Sequence, residues 1–458
     1  LDSPTRPAAV SRAATAPHRR FLPIPPAGDT ANRGLYPGEP THCRRDLRQF
    51  LPIWAHLGLL LAIIKVYRVE GRALFLLTSL ATVALPIHYL SPFRWKKPFF
   101  LGLSLAGLFT VFGPAPATAA AGLVAAFVAM TRLPVAWTIR AGLVAACGLG
   151  LALLRGIPGL SSGEFASLVW PVAASMLMFR MILYLYETKH NERPETLMDT
   201  FGYFFLLPNY AFLHFPVVDY RTLLRSHFSA EVHATQRVGS RMIFKGVTHL
   251  LAYRLIYHQL LIPIEEVRDL ATLAGFVVCN YLLYLRVSGQ FHIACGMLHL
   301  FGYQLPETHH NYLLATGFTD YWRRINIYWK DFMVRVVFHP VAFRLKRWPD
   351  WQGLTIATSA VFLATWSLHA YQSFWLRGTW GFSGPDALFW GILGILVAIN
   401  VQFDARAAAR PRPRPSFQSH ALRVAKTLGT FVTIALLWSL WSSPSVAAWT
   451  AMFHRALG

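Results

Sequence analysis

Two polar side chains stand where an apolar chain has little ordinary use for them. Asn326 lies inside Asp320-Tyr-Trp-Arg-Arg-Ile-Asn-Ile-Tyr-Trp-Lys-Asp331, and His369 follows Leu354-Thr-Ile-Ala-Thr-Ser-Ala-Val-Phe-Leu-Ala-Thr-Trp-Ser-Leu368 and precedes Ala370-Tyr371. A neutral imidazole can take a proton from a hydroxyl and return one to a leaving group. A carboxamide cannot readily abstract a proton, but its N–H groups suit negative charge developing on a carbonyl oxygen. Each has a plainer reading. The chain has 18 histidines, most of which cannot be catalytic, so His369 can equally be structural or line a pore. Residues 320–333 can be drawn as one interfacial helix, with Trp322, Ile325, Trp329 and Met333 at helical spacing and Arg323, Arg324, Lys330 and Asp331 as its polar surface. Asn326 resists that reading, because on such a helix it shares the face of Trp322 and Trp329, where an apolar residue fits better.

The elements that must position these groups are membrane helices. The 458 residues are 54% hydrophobic and only 14% charged, too few charges for an ordinary soluble domain. Uncharged or nearly uncharged runs fall at about 73–89, 98–130, 141–154, 165–179, 201–218, 271–285, 352–376, 387–403 and 428–453. Some are shorter than the roughly 20 residues of a straight span, so they must be re-entrant, tilted into protein or covered at their ends. The fold class expected is therefore all-α: a polytopic integral membrane protein with about ten or eleven spans.

The organisation divides at changes of composition. Residues 1–50 carry prolines and arginines without periodicity or an apolar run with a cleavage site, and read as a basic tail. Residues 51–178 read as scaffold rich in Leu, Ala, Gly and Val, with Gly113-Pro-Ala-Pro116 dividing one long apolar stretch. Residues 179–376 mix aromatic and polar residues into apolar segments, and residues 377–458 read as C-terminal membrane helices around a basic loop at 404–426. That loop, with Arg-Pro-Arg-Pro-Arg-Pro, is expected on the cytoplasmic side, as are Arg237, Arg241 and Lys245. The net charge of +22 sits in tails and short connections, so an anionic lipid surface is a more economical partner than nucleic acid.

Other polar positions complete the set of candidates. Pro208 and Pro216 interrupt residues 201–220, and irregular backbone at membrane depth must be protein-covered or face a cavity that Tyr210, His214 and Tyr220 could line. Arg180 and Glu187 read as an interfacial anchor and a buried pair. His292, His299, His309 and His310 form a cluster without a zinc-helix spacing and with few carboxylates nearby to finish a site, so no metal is expected; packing, capping or cavity lining is the plainer role, with substrate contact by His292 as the sharper one. Gly289, Gly296 and Gly302 permit close helix approach or a break. Cys43, Cys147, Cys279 and Cys295 show neither a metal pattern nor a disulfide framework.

Taken together, the Pro-containing segment 201–220, Ser288-Gly289 through Gly302-Tyr-Gln-Leu-Pro306-Glu307, Asp320-Tyr-Trp-Arg-Arg-Ile-Asn326 and the later His369 resemble the membrane-bound O-acyltransferase family, in particular its bacterial branch acting on envelope polymers or glycans. The resemblance runs from about residue 179 to the end of the span holding His369 and is looser in the flanking helices. It implies a helical bundle around a central reaction chamber, with re-entrant or interfacial helices. It also implies that His369 is the general base, that Asn326 holds the acyl carbonyl or the acceptor, and that Trp322, Trp329 and Tyr371 shape the tunnel. No tightly bound cofactor is implied; acyl-CoA or an acyl carrier protein would supply the thioester, and the acceptor would be a hydroxyl of an envelope glycan, a lipid or a small molecule. Many envelope enzymes of the family carry His after Trp-Arg-Arg-Trp where this chain has Arg323-Arg324-Ile325-Asn326, and Gly after the essential His where it has Ala370. Asn at that position is familiar among lipid- and sterol-directed relatives, which widens the acceptor class. The bacterial inner membrane is the implied location. A transporter of a lipid-linked or small polar molecule is the different-class alternative, since it too places polar residues beside Pro and Gly breaks, although no internal repeat supports it.

Overall fold

The computed structural model describes residues 45–157, 170, 177–189, 196–207, 216–407 and 417–458. Their regular structure is helical, and the one pairing of extended backbone among them is an isolated antiparallel bridge between His227 and Tyr303. Five helices come first: α1 (Leu47–Val66), α2 (Arg72–Leu90), α3 (Phe93–Phe112), α4 (Pro114–Thr131) and α5 (Trp137–Arg155). The expected division at Gly113-Pro-Ala-Pro116 is where α3 stops. Gly113 has φ +77°, which disfavours any residue with a side chain, and Pro114 opens α4 at a position whose N–H has no helical partner to lose.

The middle of the chain is more broken. It comprises α6 (Met178–Thr188), α7 (Leu197–Phe204), α8 (Tyr220–Ser226), α9 (Val232–Leu255), α10 (Leu270–Leu282), α11 (Leu285–Leu300), α12 (Phe318–Ile325), α13 (Ile327–Met333), α14 (His339–Arg344) and the long α15 (Asp350–Arg377). Short π-helical turns follow α9 at Ile256–Leu260 and α13 at Val334–Phe338. The chain closes with α16 (Gly384–Ala407), α17 (Phe417–Trp441) and α18 (Val446–Leu457). Helix thus extends into both ends of the segment read from sequence as a basic loop, so Arg406, Arg423 and Lys426 stand on helices, where Ala, Arg and Lys are good formers.

Among the described residues eight segments are long and apolar enough to cross a membrane: α1, α2, α4, α5, the kinked pair α10–α11, α15, α16 and α17. Their surfaces require lipid. In α5 Val144 is the one buried residue described, while Leu149 and Leu153 are 63% and 67% exposed. A helix apolar on its outward faces is stable only where the surrounding medium is apolar too.

Two lines of polar contact fix how α1, α2, α9 and α11 run. At one end the Asp46 N–H donates to the Tyr89 hydroxyl at 2.6 Å, and that hydroxyl lies 2.9 Å from His233 Nε2. At the other end Arg254 donates to the Tyr67 carbonyl at 2.6 Å, and Arg286 grips Glu70 through two nitrogens at 2.7 and 2.9 Å. Between those ends α9 and α11 pack backbone to backbone. A Cβ at Gly296 would stand 2.7 Å from the Gly239 carbonyl, and one at Gly289 would stand 2.9 Å from that of Gly246. The glycines singled out in sequence therefore serve two ends: Gly289 and Gly296 give the close approach, while Gly302, at φ +90°, ends the helix.

Candidate functional site

The sequence pattern allows one helix through residues 320–331, but the structure breaks it at Asn326. That residue takes an extended conformation (φ −150°, ψ 88°) between α12 and α13. A break costs least where the freed backbone groups find other partners. Three of them do. The Arg324 carbonyl accepts from the His310 N–H at 3.0 Å, and the Ile325 carbonyl accepts from the Tyr284 hydroxyl at 3.1 Å. The Ile327 N–H donates to the Thr308 carbonyl at 3.0 Å. The Asn326 side chain satisfies one more: its Oδ1 accepts from the Trp329 N–H at 3.1 Å and caps α13. This bond fixes the orientation of the carboxamide, because only its oxygen can accept. The amide nitrogen, Nδ2, is left with two donors and no partner among the described residues.

His369 is joined to this break through Trp329. The Trp329 indole lies 5.4 Å from the imidazole centroid and donates from Nε1 to Thr365 Oγ1 at 3.3 Å, one turn before His369 on α15. On its other flank the imidazole stacks on Trp390 of α16 at 5.0 Å and 27°. Trp329 and Trp390 are both buried, and His369 is half-buried between them. The Trp390 indole N–H is itself buried without a hydrogen-bond partner. The arrangement puts a proton acceptor and an oriented amide donor on the same tryptophan, one at its ring and one at its backbone.

Two further groups hold the break in place. The first is a buried imidazole cluster. His292 contacts the Ser288 carbonyl through Nδ1 at 2.6 Å, and its ring lies 5.3 Å from that of His249 and 5.6 Å from that of His309. His309 Nε2 is 3.0 Å from the Tyr284 hydroxyl that supports Ile325. A phenol has one proton, and a carbonyl can only accept, so Tyr284 donates to Ile325 and His309 Nε2–H donates to Tyr284. Burial, reinforced by His292, His249 and Lys245, holds the His309 pKa well below the ordinary histidine value and keeps it in that neutral form. Among the described residues no three His, Cys, Asp or Glu side chains are arranged to hold a metal ion. The second group is Arg335, in the turn after α13, which pairs with Glu187 and with Asp219 Oδ2 at 2.8 Å. Burial raises the pKa of both carboxyls, and Arg335 opposes the shift.

The remaining candidates lie apart. Trp322 packs on Phe362 of α15 at 4.7 Å, beside the site but not on His369. Tyr371 contacts Trp375 and Trp380 rather than the rings around His369, because residues two apart on a helix point to different sides. His292 supports the loop beneath Asn326 through its neighbour His309 and has no described contact with His369. Tyr210 and His214 lie outside the described residues. Sequence reasoning did not single out Trp390, Tyr284 or the pairing of Trp329 with Thr365. Thr365, one turn before His369, carried a readable signal; Trp390 lies on another helix and carried none. No protein-family model matches the chain, and no curated protein matches it.

Proposed function

We propose that this protein is a membrane-embedded O-acyltransferase of the membrane-bound O-acyltransferase type, moving an acyl group from a thioester to a hydroxyl of an envelope glycan, a lipid or a small acceptor. The observation that carries the reading is the pairing of His369 with Asn326 across Trp329, with Asn326 turned so that its nitrogen is the free end. His369 takes the proton of the acceptor hydroxyl as its oxygen bonds to the acyl carbon. The Asn326 amide donates to the carbonyl oxygen as that oxygen gains charge, and the carbon–sulfur bond then breaks, with the proton returned to the departing thiolate. No protein nucleophile is needed, and of the described cysteines Cys279 and Cys295 are buried. The thioester is proposed to be acyl-CoA or acyl carrier protein, either of which is anionic and suits the basic chain, and the bacterial cytoplasmic membrane is the proposed location.

The test compares envelope glycans and lipids by mass spectrometry from matched cells making wild-type or His369→Ala protein at equal membrane abundance. One acyl mass present only with wild type is the expected result, and it reports acceptor and chain length together. The same acyl mass in the His369→Ala cells overturns His369 as the base, and its absence from both, with donor supplied, favours transport.

A further inference from the structure

Away from this site, an open cleft of about 370 Å³ sits where the loop after α1 meets the end of α9 and the start of α11. Three guanidinium groups, Arg68, Arg254 and Arg286, line it against one carboxylate, Glu70, with Tyr253 and Tyr257 as its aromatic wall. Arg286 spends Nε and Nη2 on Glu70, hydrogen-bonds Tyr253 as well, and lies over the Tyr253 ring at 5.5 Å. Arg254 spends Nη1 on the carbonyls of Tyr67 and Arg68 and keeps Nε and Nη2. The Arg68 side chain makes no described bond and is exposed. The positive charge thus exceeds what Glu70 neutralises, and forked N–H donors remain, the geometry that phosphate oxygens accept.

The surroundings identify what carries the phosphate. The cleft opens where α1 ends and α2 begins, both long enough to cross a membrane, and apolar residues beside its lining in the chain give an exposed border: Tyr67, Leu255 and Leu260 are 60%, 57% and 53% exposed. A free anion gains nothing from that border, whereas acyl chains cover it. Its volume also lies within the ordinary range for a small-molecule site. We propose that this cleft binds the phosphate headgroup of an anionic membrane lipid, with Arg68, Arg254 and Arg286 on the phosphate and the acyl chains along the exposed border. The inference stands independently of the acyltransfer reading.

Native mass spectrometry of the full-length protein in detergent, titrated with phosphatidylglycerol or phosphatidylcholine of matched chains, tests it. Wild type retains phosphatidylglycerol in preference. Arg68→Glu, which breaks no bond of the fold, weakens that retention by about tenfold and leaves phosphatidylcholine adducts unchanged. Equal retention of both lipids, or unaltered phosphatidylglycerol binding by Arg68→Glu, overturns the proposal. Full displacement of the lipid by millimolar inorganic phosphate assigns the cleft to a free anion and overturns its lipid source.

Discussion

Asn326 carries two separable duties on its two side-chain atoms, and substitution can remove them one at a time. Asn326→Asp keeps an oxygen where Oδ1 accepts from the Trp329 N–H at 3.1 Å, so the cap on α13 survives, but it replaces the donating nitrogen with an acceptor. Asn326→Ala removes both. Loss of a cap costs about 1 kcal/mol, a small share of folding stability. Loss of a donor aimed at a developing oxyanion costs about 10²–10³-fold in turnover, equivalent to roughly 3–4 kcal/mol of the barrier. Asn326→Asp is therefore expected to unfold within error of wild type and to transfer acyl groups about 10²–10³-fold more slowly. Asn326→Ala is expected to match that loss of rate and to lose about 1 kcal/mol of stability as well. Single-turnover transfer of a radiolabelled acyl thioester measures the first quantity, and thermal unfolding in detergent the second. If Asn326→Asp transfers at a rate within threefold of wild type, the amide nitrogen is not an oxyanion donor and Asn326 is a cap alone.

Other expectations concern what holds the site. Gly296→Ala places a methyl 2.6 Å from Ile243 Cγ1 and 2.7 Å from the Gly239 carbonyl and should destabilise by about 1–3 kcal/mol in thermal unfolding, while Gly58→Ala, with nothing within 4 Å, should be neutral or slightly stabilising. Arg335→Gln leaves Asp219 without its paired cation and Glu187 with Arg221 alone, and should cost about 3 kcal/mol at neutral pH, the low end for a broken buried pair because Arg335 is 37% exposed. The sign of its pH dependence follows from the raised carboxyl pKa values. Between the ordinary carboxylate range and those raised values the folded protein binds more protons than the unfolded chain, so this contribution to stability falls as pH rises through that window. Removing Arg335 widens the window, so the variant should recover stability on acidification more than wild type does; a pH-independent deficit would refute the pairing as the cause.

How much of this was legible in sequence depends on how far each feature reaches along the chain. The apolar runs, the Gly113-Pro114 division and the close-packing glycines are local or periodic signals. The prohibition on unpaired backbone in lipid turns them into helices whatever their neighbours. Asn326 and His369 stood out because polar groups in apolar runs are costly without a partner. What the runs did not carry was the break at Asn326. Trp322, Ile325, Trp329 and Met333 fit one continuous helix, and local propensity has no reason to interrupt it. The interruption exists because Thr308, His310 and Tyr284, from segments up to about forty residues earlier, take up the backbone groups that the break releases. Likewise the Trp390 stack on His369 and the Arg335 clamp on Glu187 and Asp219 join residues distant in the chain, and only packing brings them within contact. Sequence therefore determined that the chain lies in a membrane and which polar residues needed explaining. Tertiary structure decided which of them meet, because satisfying a buried donor or acceptor is a property of its neighbours in space and not of its neighbours along the chain.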